Sequence, residues 1–329
     1  MTATETASSL LARIGKPAPQ CVLPLPGGRN NRVWRVDCST ESFLLKSYFW
    51  SESDPRDRLG QEWAFLEFLR SIGSCKAPEP LAKDAPSRFA LLEFIAGDPP
   101  QEITESDILD AARFFAEMNA QPAFAKSLPP VSEACFSIKA HLETTAARID
   151  RLQQIQSTSE DHEKAVVFIR DTLLPLWHEL RKRIEALPDS ARHEILATSE
   201  RCLSPSDFGF HNALRQSDGS LRYVDFEYAG WDDPAKTLID FTNQPDRLLP
   251  ESLAALFLEK TIPLFRNPYA LRQRVTLLTP LYQLKWACIC LNAFFPNRLS
   301  DPSRPLASQL ARANVMISRA ITEIAKTPH

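Results

Sequence analysis

Between residues 20 and 50 apolar and polar positions alternate in three short runs, 21–25, 32–37 and 43–48, separated by 27–31 and 39–41. Alternation of period two between turn residues predicts strands, here a small antiparallel meander. From Arg56 to Arg70 the apolar residues Leu59, Trp63, Phe65, Leu66 and Leu69 follow a helical spacing that Gly73 closes. Leu81 and Ala82, then residues 89–94, predict two further strands. After Gly97-Asp98-Pro99-Pro100 the texture becomes helical, which marks a hinge. A helix starting at Thr104 or Ser106 would bury Ile108, Ala112, Phe115 and Met118. Residues 132–155 and 160–187 give two long helical patterns, the second kinked by Pro175, and residues 251–329 are helical again. The expectation is an α+β chain in two lobes. Residues 1–96 would form a small antiparallel sheet with one helix, and residues 97–329 a larger, mainly helical lobe.

Composition narrows the class. Of 329 residues, 44% are hydrophobic and 24% charged, ordinary values for a chain that buries a large core. The formal net charge of -3 lacks the basic surplus of a non-specific nucleic-acid binder. The start has neither the basic region nor the long apolar run of a signal peptide. The apolar stretch 275–295 is broken by Pro280, Gln283, Lys285 and Asn292, so it predicts a buried helix and no membrane span. Seven scattered cysteines without a C-x-x-C pair suit a reducing cytoplasm, with Cys288 and Cys290 as small buried hydrophobes.

The chemistry concentrates between Leu203 and Tyr228. Asp218-Gly219 is a turn signal between two strand-like runs, 213–215 and 221–224. A two-residue turn centred there would set Asn212 opposite Asp225, an amide oxygen beside a carboxylate, with Asp207 on the loop just before. Two hard oxygen donors with a second carboxylate nearby suit Mg²⁺; a solvated Asx pair on an ordinary hairpin is the other reading. On a strand, His211 would point away from Asn212 and take no part in chemistry. Glu227 would share the strand face of Asp225, supporting the metal or the loop, or sitting as a surface carboxylate. Tyr228, Trp231, Tyr282 and Trp286 would line a substrate pocket or form a choline-type aromatic cage, with helical core packing the other use of Tyr282 and Trp286.

A second group lies nearer the start. Gly27, Gly28 and Asn30 sit in a turn whose N–H groups and small polar side chains can approach an anion. Lys46 lies mid-strand; solvated is the ordinary state of such a lysine, but held by Glu62 of the following helix it could reach phosphate oxygens.

Taken in order, the glycine turn, strand lysine, helix glutamate, Leu91-Leu92-Glu93-Phe94-Ile95-Ala96-Gly97, D-x-x-x-x-N and D-x-E resemble the aminoglycoside phosphotransferase and choline kinase family, which is protein-kinase-like. The resemblance spans about residues 20–245 and is most specific over Val224-Asp-Phe-Glu-Tyr-Ala-Gly-Trp-Asp-Asp-Pro-Ala235 with Asp240-Phe241. It implies that Asp207 orients the acceptor hydroxyl and takes its proton, and that Asn212 and Asp225 hold Mg²⁺ on ATP. It further implies that Lys46, set by Glu62, meets the α- and β-phosphates, and that the backbone at Glu93–Ile95 receives the adenine edge. One departure stands out: Pro205 and Ser206 occupy positions where the family usually has histidine and glycine.

The expected function is ATP-dependent phosphoryl transfer to a hydroxylated small molecule, with no obligate protein partner. Ten basic and four acidic side chains in residues 251–329 point to a neutral or anionic acceptor such as a sugar or sugar derivative. The alternative is a kinase-fold nucleotide-binding or regulatory protein without turnover.

Overall fold

The computed structural model describes residues 2–26, 31–295 and 304–326. The chain forms two compact units, Met1–Ser132 with Leu203–Trp231, and Glu133–Cys202 with Asp232–His329.

The first unit holds a five-stranded antiparallel sheet in the order β1-β2-β3-β5-β4. Its strands are β1 (Cys21–Pro24), β2 (Arg32–Asp37), β3 (Ser42–Ser47), β4 (Pro80–Asp84) and β5 (Phe89–Glu93). One face carries Val36, Phe43, Leu45 and Leu91 against Ala7, Leu10 and Leu11 of helix α1 (Ala3–Arg13). Because side chains alternate along a strand, Lys46 of β3 points to the opposite face. Helix α1 was not foreseen, although its Thr2/Glu5 capping box is a start signal in the sequence. Helix α2 (Arg58–Ser71) is capped by the Asp57 side chain, and α3 (Glu105–Ala120) starts from Thr104.

The strand β6 (Cys202–Ser204) brings the chain back to this unit, and β9 (Gly230–Asp232) leads it away. Between them, β7 (Ala213–Arg215) and β8 (Leu221–Tyr223) form a hairpin. Its register corrects the sequence expectation. Ala213 pairs with Tyr223 and Arg215 with Leu221, so Asn212 stands opposite Val224, whose N–H donates to the Asn212 carbonyl, and not opposite Asp225. Gln216 N–H donates to Ser220 O, leaving a three-residue loop, with Gly219 at φ +85° supplying the left-handed residue such a loop needs. An odd loop shifts the pairing by one residue.

The second unit is mainly helical. It comprises α4 (Ile138–Leu152), α5 (Glu160–Phe168), α6 (Leu174–Glu185), the short α7 (Asp189–His193), α8 (Pro234–Thr242), α9 (Glu251–Thr261), α10 (Pro268–Leu291) and α11 (Leu306–Lys326). A π-turn over Ile169–Leu173 separates α5 from α6, just where Pro175 removes an N–H from the helix ladder. The long α10 packs on α11, α8 and α4 and buries Cys288 and Cys290. His141 of α4 joins Tyr282 Oη of α10 at 2.6 Å and Asp233 Oδ2 at 3.0 Å, and Arg274 Nε of α10 donates to the same Asp233 oxygen at 2.6 Å. Burial opposes charge on Asp233, yet these partners hold its carboxyl below the ordinary value. Tyr282 is therefore a core residue. Among the described residues no helix is long and apolar enough to cross a membrane.

Candidate active site

Lys46, Glu62, Asp207, Asn212 and Asp225 all belong to the first unit. The Lys46 ammonium, 5% exposed as a residue, donates to Glu62 Oε2 at 2.6 Å and to Asp225 Oδ1 at 2.7 Å. Burial works against its charge, but the carboxylates of Asp225, Glu62 and Glu227 outweigh it and hold the ammonium above its ordinary pKa. Glu62 is gripped at both oxygens, since Oε1 accepts the N–H of Phe226 at 3.0 Å. One helix carboxylate thus fixes both the lysine and the backbone that carries Asp225. The solvated state of a lone strand lysine does not apply here.

Both aspartates stand on turns, not strands. Asp225 has φ +69°, a left-handed conformation uncommon for a residue with a side chain, so the alternation of β8 stops before it. Asp207 follows a γ-turn in which its N–H donates to Pro205 O across Ser206, at φ +68°. That angle is easiest for glycine, the residue usual there in the resembling family, and Ser206 adopts it with its N–H held by Ser204 Oγ at 3.0 Å. The Asn119 side chain pairs with both the N–H and the carbonyl of Leu203, at 2.8 and 3.1 Å, tying the start of this loop to α3.

A pair of aromatic anchors places these aspartates. Phe208 and Phe226, the residues that follow them, are 3% and 1% exposed. Both rings meet Phe114 of α3 edge-on, at centroid distances of 6.0 and 6.5 Å. Tyr223 stacks on Phe114 at 4.8 Å. With the ring buried on one side, the preceding carboxylate is left towards solvent, and Asp207 and Asp225 are 42% and 39% exposed. The sequence reading missed these anchors, although Asp207 and Asp225 are each followed by phenylalanine.

Asn212 Nδ2 donates to Asp207 O at 3.0 Å, which fixes the amide and commits its nitrogen to protein. The oxygens left to meet a cation would be the Asn212 amide oxygen and the Asp225 carboxylate, both hard donors. Among the described residues no three His, Cys, Asp or Glu side chains form a metal site by themselves. An amide and a carboxylate suit Mg²⁺, which keeps positions for phosphate oxygens and water.

Glu227 is buried at 4% exposure, not a surface carboxylate. It accepts from Asn31 Nδ2 and lies 3.6 Å from Arg58 Nε. Burial first, and Asp225 second, raise its carboxyl above the ordinary value. Arg58, fully enclosed, also donates to Asp54 Oδ2, Phe49 O and Tyr228 Oη. Tyr228 packs against the guanidinium groups of Arg56 and Arg58, and Trp231 Nε1 donates to Ala125 O.

At the other end of the sheet, Glu93 closes β5. Its side chain pairs with Arg222 at 2.7 Å and accepts the Glu79 N–H at 3.1 Å. Burial opposes its charge, but Arg222 holds its carboxyl below the ordinary value. Ile95 is buried two residues on. Gly97 lies against the hairpin, where a Cβ would meet Arg215 O at 2.6 Å, and Asp98 and Arg215 exchange backbone hydrogen bonds. The hinge run is therefore fastened to the same hairpin that carries Asn212. Gly27, Gly28 and Asn30 lie outside the described residues.

A strand lysine paired with a helix glutamate, and two loop aspartates with an asparagine between them in sequence, stand in one unit of an α+β kinase-like fold. The chain matches the phosphotransferase enzyme family over residues 22–263 and belongs to it. This is the family of the resemblance noted in the sequence. No curated protein sequence matches the chain. Among solved structures it is similar to spectinomycin phosphotransferase APH(9)-Ia in complex with ADP and spectinomycin, with TM-score 0.64 and 12% identity over 98% of this chain and 99% of that one. It is also similar to choline kinase LicA from Streptococcus pneumoniae, with TM-score 0.61 and 15% identity over 96% and 97% of the two chains. Choline kinase from Cryptosporidium parvum Iowa II gives TM-score 0.60 and 13% identity over 93% and 89%. At these identities the likeness concerns the fold.

Proposed function

We propose that this chain is an ATP-dependent kinase that transfers the γ-phosphoryl group to a hydroxyl of a small molecule. The observation that carries this reading is the Lys46 ammonium held between Glu62 and Asp225 in the same unit as Asp207 and Asn212. A buried cation fixed by two carboxylates is oriented before any ligand arrives, and phosphoryl transfer depends mainly on positioning and charge neutralisation. The solved neighbour with ADP and spectinomycin bound supports a nucleotide and a small acceptor as the two substrates.

In this reading residues 1–96 bind the nucleotide, with Gly27, Gly28 and Asn30 near its phosphates and the backbone at Glu93–Ile95 on the adenine edge. Residues 97–329 supply the catalytic loop, the metal donors and the acceptor contacts. Lys46 neutralises the α- and β-phosphates. Asp207 orients the acceptor hydroxyl and takes its proton. The acceptor oxygen forms a bond to the γ-phosphorus as the bond to the β,γ-bridging oxygen breaks, its electron pair leaving with ADP. Mg²⁺ on Asn212 and Asp225 would neutralise phosphate charge.

The acceptor class we favour is a sugar or sugar derivative, on the basic balance of residues 251–329. The cysteines described are all unpaired, which suits a reducing compartment such as the cytoplasm. The test is ATP consumption with Mg²⁺ across sugars, amino alcohols and aminoglycosides. Turnover on a hydroxylated acceptor supports the kinase; nucleotide binding without turnover on any acceptor would instead favour a regulatory binding protein.

A further inference from the structure

Residues 207–212 read Asp-Phe-Gly-Phe-His-Asn, and over Phe210–Asn212 the chain makes a 3₁₀ turn, not a strand. A strand would send His211 and Asn212 to opposite faces. A turn of three residues per cycle sets neighbouring side chains about 120° apart, so both can reach back to one earlier residue. They do so. Asn212 Nδ2 donates to the Asp207 carbonyl at 3.0 Å, and His211 Nε2 lies 3.1 Å from Asp207 Oδ1. One residue holds the main chain of Asp207 and its neighbour holds the side chain. The histidine side chain is 16% exposed and the carboxylate 42%, so the pair is anchored on its protein side and open on the other.

We infer that His211 is the positioning residue of the transfer step, donating its Nε2–H to Asp207 Oδ1 and fixing the rotamer in which that carboxylate meets the acceptor hydroxyl. This role rests on the kinase reading above. A carboxylate on an exposed loop otherwise samples several rotamers, and ordering it before the acceptor binds lowers the barrier without adding affinity. The signature is a loss in kcat with little change in KM.

The experiment compares wild type, His211→Ala, His211→Leu, His211→Gln, Asp207→Asn and the double variant His211→Ala/Asp207→Asn, using Mg²⁺-ATP and whichever panel acceptor turns over best. Calorimetric titration with Mg²⁺-ADP reports on folding and the nucleotide site. His211→Ala and the bulkier His211→Leu should each lower kcat by about ten- to a hundredfold, the worth of a hydrogen bond to a charged group. Acceptor KM and ADP affinity should stay within about twofold. His211→Gln, which keeps an N–H donor, should recover most of the rate. In the Asp207→Asn background His211→Ala should cost nothing further, because it acts through the missing carboxylate. Wild-type kcat in His211→Leu, or losses that simply multiply in the double variant, would overturn the inference while leaving the kinase reading intact. Full turnover in Asp207→Asn would overturn the role given to Asp207 and the inference with it, while the turnover itself would still support a kinase.

Discussion

The ammonium of Lys46 lies 2.7 Å from Oδ1 of Asp225, although 179 residues separate the two in sequence. Glu62 completes the triangle with one oxygen on the lysine and the other on the N–H of the residue after Asp225. A strand, a helix and a loop are thus locked around one cation.

Replacing that cation should be costly to the fold as well as to catalysis. In Lys46→Met the Glu62 carboxylate, 1% exposed, would lose its buried counter-ion. Breaking a buried pair from one side costs about 3–5 kcal/mol, and urea denaturation of the variant should show a loss near that size. Stability equal to wild type would mean the triangle is not formed in solution.

The Phe114 ring should behave as the keystone of both aspartate loops. Phe114→Ala removes the surface on which Phe208, Tyr223 and Phe226 pack, and should cost about 3–5 kcal/mol in denaturant unfolding. At concentrations where the variant stays folded, kcat should fall too, since both carboxylates lose their anchors. A stable variant with unchanged kcat would show that the aspartates are placed by other means.

Much of this arrangement was legible in the chain because it follows from local patterning. The alternation around Lys46 and the helical spacing around Glu62 predicted the elements that hold them, and a single facing relationship then makes the ion pair. Where the sequence reading failed, the cause was backbone detail that residue types specify weakly. A three-residue loop in place of a two-residue one moved Asn212 from Asp225 to Val224. Left-handed backbone at Ser206 and Asp225, and a 3₁₀ turn at His211, broke the strand alternation from which side-chain directions were read. Helix α1 buries its short apolar face against the sheet, a partner that the local pattern of residues 3–13 does not reveal.

Acid sensitivity should arise in part from Glu133 in the helical unit. Burial raises its carboxyl, but Arg148 first, then Lys285, outweigh this and hold it at about 2, below the ordinary 4.5. A lowered folded-state value means stability that is fully present above pH 4.5 and is lost as pH falls through about 2. The side chain is 40% exposed, so solvent screening reduces the contribution to about 1 kcal/mol. Glu133→Gln should therefore have a lower Tm than wild type at pH 7 and a flatter Tm profile between pH 4.5 and 2; parallel profiles would contradict the assignment.

Mg²⁺-nucleotide titration of two aspartate variants bears most directly on the roles assigned to the site. Asp207→Asn should bind Mg²⁺-ATP with near wild-type affinity yet turn over about a hundredfold or more slowly, whereas Asp225→Ala should lose the Mg²⁺-dependent part of the affinity. Equal loss of binding in both variants, or undiminished turnover in Asp207→Asn, would contradict the account.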